Sequence, residues 1–320
     1  MNHDVFFYEA FEEEASALAA ELGPGVRAGY TASTIQLAGH TTPPALLLSI
    51  RTQSALPPGW ELHIRGVLAR TTGYDHLLPL RRCAPGLALA ALPEYCSRAV
   101  AEQAALLWMS LLRRLPAQLR QWDTFHRDGL TGGECAGRTL AVAGVGRIGH
   151  AVTQIGRGLD MQVLGVDPVH RHPDVHYVAW DEAISRADIL ALCMNLTAEN
   201  RAYVRRSTLA GARPGLCLVN VARGELVETA DLEPLLREGL LGGVALDVFA
   251  GEPEVADALR TGRATAESAR LLQLARHPRV ILTPHNAFNT HEAVHRKSAF
   301  SARQVRTFLA SGHFEWPLDA

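Results

Sequence analysis

The run Leu140-Ala141-Val142-Ala143-Gly144-Val145-Gly146-Arg147-Ile148-Gly149 leaves a chain few ways to fold. A short apolar segment enters a G-x-G-x-x-G turn, and an amphipathic segment leaves it. Gly144 permits a tight strand-to-helix turn, and Gly146 lets a backbone approach a pyrophosphate. Gly149 lets the helix pack against its strand. Arg147 and Ile148 open that helix, whose first N–H groups and partial positive charge suit phosphates. A second apolar stretch, Gln162–Val166, ends in Asp167, where a carboxylate can accept from ribose hydroxyls. A lone G-x-G-x-x-G fits a glycine-rich turn in many α/β proteins. Strand, glycines, helix, strand and acid in this order point to a dinucleotide site.

The rhythm continues on both sides. From Thr139 onward, strand-like runs at 139–143, 162–166, 188–193, 215–220, 243–248 and 279–283 alternate with helical patterns. Six strands so spaced predict right-handed βαβ units and a mostly parallel sheet. The preceding part alternates too, with strands over Val5–Tyr8, Leu46–Ile50 and Val67–Arg70 and a helix over Glu9–Glu21. Pro43-Pro44, Pro57-Pro58-Gly59 and Pro85-Gly86 mark its loops. A long helix begins near Ser97, with Val100, Ala104, Leu107, Trp108 and Leu111 on one face. Past His285 a last helix carries Val294, Val305, Phe308 and Leu309, more apolar surface than the second sheet needs. It is expected to return to the first domain.

Composition closes off several alternatives. A chain of 320 residues suffices for two domains, and 48% apolar with 20% charged residues is a globular balance. A net charge of −2 gives no general attraction to nucleic acid or an anionic membrane. No apolar run approaches the roughly 18 residues of a membrane span. Asp4, Glu9 and Glu12–Glu14 have the wrong sign for a signal or transit peptide. Five scattered cysteines argue against a disulfide framework or a zinc site and fit a reducing compartment, so a cytoplasmic location without bound metal is expected. Lys297 is the one lysine among 31 basic residues, which excludes a G-K-[ST] phosphate loop. Any Schiff-base chemistry would have to use it.

A nicotinamide cofactor performs hydride transfer itself, so the protein must bind, orient and manage one proton. Histidine is the usual acid/base near neutral pH. Among 14 histidines, His285 stands out in Thr283-Pro284-His285-Asn286, directly after a strand. Ligands of open parallel sheets bind beyond the carboxyl ends of the strands. Arg223 and Glu252 follow their own strands in the same way. A carboxylate beside a histidine favours the imidazolium and fixes its tautomer. An arginine fork matches a substrate carboxylate bidentately.

These segments resemble the motif set of the D-isomer-specific 2-hydroxyacid dehydrogenases. The resemblance rests on Gly144–Gly149, Asn220-Val221-Ala222-Arg223-Gly224-Glu225-Leu226-Val227, Gly243–Phe249 with Glu252-Pro253, and Thr283-Pro284-His285. Thr71-Thr72-Gly73-Tyr74-Asp75 and Pro93-Glu94-Tyr95 resemble that family's markers in its other domain. It covers about residues 68 to 310; the first 65 add little. Asn195-Leu196-Thr197, Leu78 and Ala141 depart from the usual pattern without removing a catalytic group.

The resemblance implies an α/β fold of two Rossmann-like parallel-sheet domains. One is a discontinuous, flavodoxin-like substrate domain at 1–96 plus 289–320, and the other an NAD-binding domain at 97–288. It also implies reversible reduction of a 2-oxo acid to a D-2-hydroxy acid, with Arg223, Glu252 and His285 catalytic. Thr72, Gly73, Tyr95 and Phe288 would meet the substrate, Phe288 within a segment similar to the D-lactate dehydrogenase-like branch. The cofactor set would be Gly144, Gly146, Arg147, Ile148, Gly149, Asp167, Thr197, Ala222 and Asp247. Asp167 favours NAD over NADP, because a carboxylate repels a 2′-phosphate, although His170, Arg171 and His172 follow closely. A homodimer is expected. The alternatives are an NAD(H)-sensing co-repressor of the same fold, or a dehydrogenase for a phosphorylated or inorganic acid served by Arg81 and Arg82.

Overall fold

A computed structural model describes residues 2–263 and 265–318; the outermost limits of the expected domains, residues 1 and 320, lie outside them. The chain divides into two compact units, Met1–Cys96 with Asn289–Ala320, and Ser97–Phe288. In the first unit the chain runs β1 (His3–Phe7), α1 (Glu12–Leu22), β2 (Ala28–Tyr30), β3 (Ala45–Ile50), β4 (Gly66–Ala69), α2 (Leu78–Cys83) and β5 (Ala88–Ala91). The second unit opens with α3 (Ser97–Leu112) and α4 (Leu115–Gln121), followed by β6 (Thr139–Ala143), α5 (Arg147–Gly158), β7 (Gln162–Val166) and β8 (His176–Tyr177). It continues with α6 (Trp180–Arg186), β9 (Ile189–Leu192), β10 (Leu216–Asn220), α7 (Thr229–Arg237) and β11 (Leu241–Leu246). It ends with α8 (Glu252–Thr261), α9 (Ala266–Ala275) and β12 (Val280–Leu282), after which α10 (His291–Ser311) rejoins the first unit and packs on α1.

Both sheets are parallel. The first has the order β2-β1-β3-β4-β5, the second β12-β11-β10-β9-β6-β7-β8. Their strands are near-continuous apolar runs because helices cover both faces. In the second unit Leu190, Leu218, Val244 and Leu246 are buried among Leu209, Leu232, Leu235 and Leu236. The strand order reverses between β6 and β9, which opens a crevice at their carboxyl ends.

The second sheet has seven strands where the sequence predicts six. The added β8 pairs with β7 at only Leu164↔His176 and Gly165↔Tyr177, too short to leave a period. In the first unit β2 and β5 also escape sequence reading, β2 being only three residues long and β5 short and rich in alanine. The first helix starts at Glu12 rather than Glu9. Glu9 turns at φ +54, and its carboxylate accepts from the backbone N–H groups of Arg51, Gln53 and Ser54.

A buried charge cluster ties the first unit together. The Arg70 guanidinium, 0% exposed, donates to Glu14 Oε1 at 2.7 Å, to Ser49 Oγ at 3.0 Å and to the Tyr8 carbonyl at 2.7 Å. Lys297 Nζ lies 3.0 Å from Glu14 Oε2. The cluster therefore joins β4, α1 and α10. Burial alone would raise the Glu14 carboxyl, but Arg70, Lys297 and Arg51 overcome it and hold it down to about 2. Because that value lies below the unfolded one, the stabilisation is complete above about pH 4.5 and is lost as pH falls towards 2. Glu14→Gln leaves the cations facing an uncharged amide. We expect it to lower the unfolding free energy by about 3–5 kcal/mol and to remove part of the acid sensitivity, read from denaturation midpoints across that window.

Candidate functional site

The glycine turn sits at the crevice. Gly144 follows β6 at φ +88, and a Cβ there would lie 2.4 Å from the backbone of Met194, which follows β9. Gly149 packs so tightly that a Cβ would come within 2.0 Å of the Gly144 carbonyl oxygen. Gly146, by contrast, faces open space, with nothing within 4 Å of a Cβ. No side chain caps α5, the arrangement in which a helix N-terminus can receive an anion. Asp167, at the end of β7, is half-buried. Its carboxylate accepts from the N–H groups of Val145 and Val169, both at 2.8 Å, which fixes it beside the turn with lone pairs to spare. Beyond it opens a cavity of about 430 Å³ lined by Asp167, His170, Tyr177, Trp180 and Tyr203 among others. His170 stacks on Tyr177 at its rim. Two close glycine contacts, one open glycine, an uncapped helix and an acid beside an aromatic cavity fit a dinucleotide.

Three adjacent strands carry the chemical groups. Arg223 follows β10, Glu252 opens α8 after β11, and His285 follows β12. His285 Nδ1 meets Glu252 Oε2 at 2.7 Å, and Glu252 Oε1 accepts from the Phe249 N–H at 3.2 Å. The pair is partly exposed, with side chains 26% and 16% accessible. Phe288 stands edge-on to the His285 ring at 6.3 Å.

The backbone around these groups is over-determined. His285 has φ +51, a left-handed value uncommon for a non-glycine residue. Its own N–H donates to the Asp247 carbonyl at 2.8 Å. The Asp247 side chain is 0% exposed and accepts from Thr283 Oγ1, from the Asn286 N–H at 3.0 Å and from the Ala287 N–H at 2.9 Å. Asn220 performs the same service for Arg223. Its Oδ1 accepts from the Ala222 N–H and its Nδ2 donates to the Arg223 carbonyl at 2.8 Å. At Gly224 a Cβ would lie 1.8 Å from the Phe249 carbonyl carbon, so only glycine lets the arginine turn nest against the turn leading to Glu252.

The remaining sequence-derived residues are dispersed. Ala222 is buried within the arginine turn. Thr197 lies on an exposed loop, its N–H donating to Asn200 Oδ1 at 2.8 Å. In the first unit, Thr72 and Gly73 follow β4, and Tyr95 follows β5. The Thr71 hydroxyl donates to the Gly73 carbonyl at 2.7 Å, and Thr72 Oγ1 lies 3.6 Å from Cys96 Sγ. Tyr95 is 3% exposed, and burial pushes its hydroxyl well above the usual range. Sequence reasoning passed over Asn220, the loop-holding use of the Asp247 carboxylate and the packing demand at Gly224. Their signal is a polar or minimal residue at or just beyond the end of an apolar strand.

Comparison with known proteins identifies the family. The family model described as D-isomer specific 2-hydroxyacid dehydrogenase, NAD binding domain, matches residues 105–287. A D-lactate dehydrogenase of Streptococcus agalactiae is 32% identical over 242 residues, 73% of each chain. A D-2-hydroxyacid dehydrogenase (NAD+) of Lacticaseibacillus paracasei is 28% identical over 79% of this chain and 78% of its own. The solved D-lactate dehydrogenase of Aquifex aeolicus, complexed with NAD and lactic acid, superposes with a TM-score of 0.85 at 25% identity. That match covers 97% of this chain and 98% of the other.

The turn's geometry makes a sharp demand on Gly149. Gly149→Ala forces a methyl onto the Gly144 carbonyl. We expect the dissociation constant for NADH, followed by fluorescence titration, to rise at least about tenfold.

Proposed function

The chain belongs to the D-isomer specific 2-hydroxyacid dehydrogenase family, and from that membership we propose that Arg223, Glu252 and His285 carry out the interconversion of a 2-oxo acid and its D-2-hydroxy acid. The protein is an NAD-dependent dehydrogenase. Bound NAD(H) supplies or accepts the hydride. The observation that carries the residue assignment is the Glu252–His285 hydrogen bond at the carboxyl edge of three adjacent strands that also present Arg223.

In the reducing direction the Arg223 fork binds the substrate carboxylate and polarises the adjacent carbonyl. His285 gives a proton from Nε2 to the carbonyl oxygen, because Nδ1 is engaged by Glu252. Glu252 stabilises the imidazolium before transfer and holds the ring's orientation afterwards. Oxidation runs the same steps backwards, with His285 as base. The backbone amides at Thr72 and Gly73 take part in carboxylate binding, and Tyr95 and Phe288 shape the substrate's surroundings. The glycine turn with Arg147 and Ile148 binds the pyrophosphate, and Asp167 the ribose. Thr197, Ala222 and Asp247 complete the cofactor site, Asp247 through the loop it holds.

The protein works as a homodimer in this reading. Leu119, Trp122 and Phe125, each roughly 70% exposed, form an apolar run at the end of α4 that a second copy would cover. Five free cysteines fit the cytoplasm.

Two measurements test these assignments. His285→Ala should lower kcat for a 2-oxo acid by about 10²–10⁴-fold, the range of positioned proton transfer, while Arg223→Lys should chiefly raise KM. Unchanged kcat in the first variant or unchanged KM in the second removes that residue from its role. Trp122→Asp should shift the particle mass towards one chain in light scattering; an unshifted dimer would place the interface elsewhere.

A further inference from the structure

Away from Arg223, Glu252 and His285, three further side chains of the second unit come together where α5 passes the segment between β7 and β8. His150 stands in the first turn of α5, and His172 and Asp174 lie in that segment. One ring nitrogen of each histidine and one carboxylate oxygen of Asp174 all lie within 4.8 Å of one another. The two imidazoles are stacked, with centres 3.9 Å apart and planes 4° from parallel. His150 Nε2 lies 3.1 Å from Asp174 Oδ2 and 3.2 Å from Oδ1. The ring nitrogens of His172 have no hydrogen-bond partner among the described residues.

Each of the three is held from behind. The His150 N–H donates to the Gly146 carbonyl at 2.9 Å, and its own carbonyl accepts from the Thr153 hydroxyl at 2.7 Å. The His172 N–H donates to the Tyr177 hydroxyl at 3.2 Å, and its carbonyl accepts from the Val175 N–H at 3.1 Å. Arg157 donates to Asp174 Oδ2 at 2.6 Å and, through its other terminal nitrogen, to the Asp174 carbonyl. Ligating carboxylates are ordinarily fixed by outer donors of this kind. A carboxylate has about four lone-pair sites, so Arg157 leaves Asp174 able to bind again. The charge of Arg157 opposes a second cation, which suits a site that exchanges its ion rather than one that locks it in.

We propose that His150, His172 and Asp174 form a binding site for an exchangeable divalent transition-metal ion of the zinc class. Two imidazole nitrogens and one carboxylate oxygen suit zinc, nickel or copper and not magnesium or calcium, which prefer all-oxygen sites. Both rings and the carboxylate reach solvent, so modest side-chain rotations let the donors converge to the usual metal distances of about 2.0–2.2 Å, with water completing the shell. The ion takes the place of the hydrogen that His150 Nε2 shares with Asp174, and any proton displaced leaves to solvent. It bridges α5 and the segment that follows Asp167, and takes no part in hydride or proton transfer. The scattered cysteines of the sequence argue only against a thiolate site; these donors are distant in sequence and meet through the fold.

The test is titration of the chelator-treated, full-length protein with zinc(II) alone, read by competition with a chromophoric chelator. Wild type should bind about one zinc ion per chain with a dissociation constant in the micromolar range or below, and a large excess of magnesium should not displace it. His150→Gln and His172→Gln should each weaken that binding at least about tenfold, and Asp174→Asn should act in the same direction. His63→Gln, an exposed histidine of the first unit, should leave it unchanged. If the helix variant His150→Gln fails to fold, His172→Gln decides alone. Absence of saturable micromolar binding in wild type overturns the proposal. So does zinc binding that His172→Gln leaves unmoved, or that magnesium displaces.

Discussion

The buried carboxylate of Asp247 is the constraint on which the loop carrying His285 depends. It collects three donors from the loop after β12, one hydroxyl and two backbone N–H groups, while its carbonyl takes the N–H of His285. A charge with no exposure is tolerable only when hydrogen-bonded in this way. The loop pays with a left-handed conformation at His285, a strain of order 1–3 kcal/mol that persists only because the surroundings fix it. The result is an imidazole whose Nδ1 faces Glu252.

Neighbouring strand ends repeat the device. Asn220 shapes the Arg223 turn with one acceptor and one donor, and Gly224 lets that turn approach the Phe249–Ala250 backbone. Because β10, β11 and β12 are adjacent, each loop is braced by the next. Arg223, Glu252 and His285 therefore stand on short tethers from rigid strands, which favours precise orientation over adaptability. The glycine turn follows the same logic at β6, where space is withdrawn at Gly144 and Gly149 and left open at Gly146.

Much of this was legible in the sequence, for identifiable reasons. Central parallel strands such as Thr139–Ala143 and Leu216–Asn220 are buried on both faces and so read as apolar runs. The glycine spacing, Asp167, Arg223, Glu252 and His285 mark themselves because each follows such a run. Edge elements did not show. The strand His176–Tyr177 is held by pairing with β7 rather than by its own pattern, and Ala88–Ala91 by its place beside β4. The charge cluster was equally silent. In the sequence Glu14 is only one of several acidic residues near the start of the chain, and only the packing of α10 on α1 makes it the buried partner of Lys297 and Arg70. Asp247 was visible as a motif member, but its hydrogen bonds depend on a loop some forty residues downstream.

The most direct test of this account is the single-turnover rate of NADH oxidation by a 2-oxo acid in Asp247→Asn. The amide keeps the shape of the side chain but turns one acceptor oxygen into a donor facing other donors. If the buried carboxylate sets the position of His285, the rate should fall by about a hundredfold or more in a protein that remains folded, the scale of a roughly 1 Å misplacement of a catalytic group. A wild-type rate in that variant would contradict the central claim, because His285, the proposed acid/base, would then hold its place without the carboxylate.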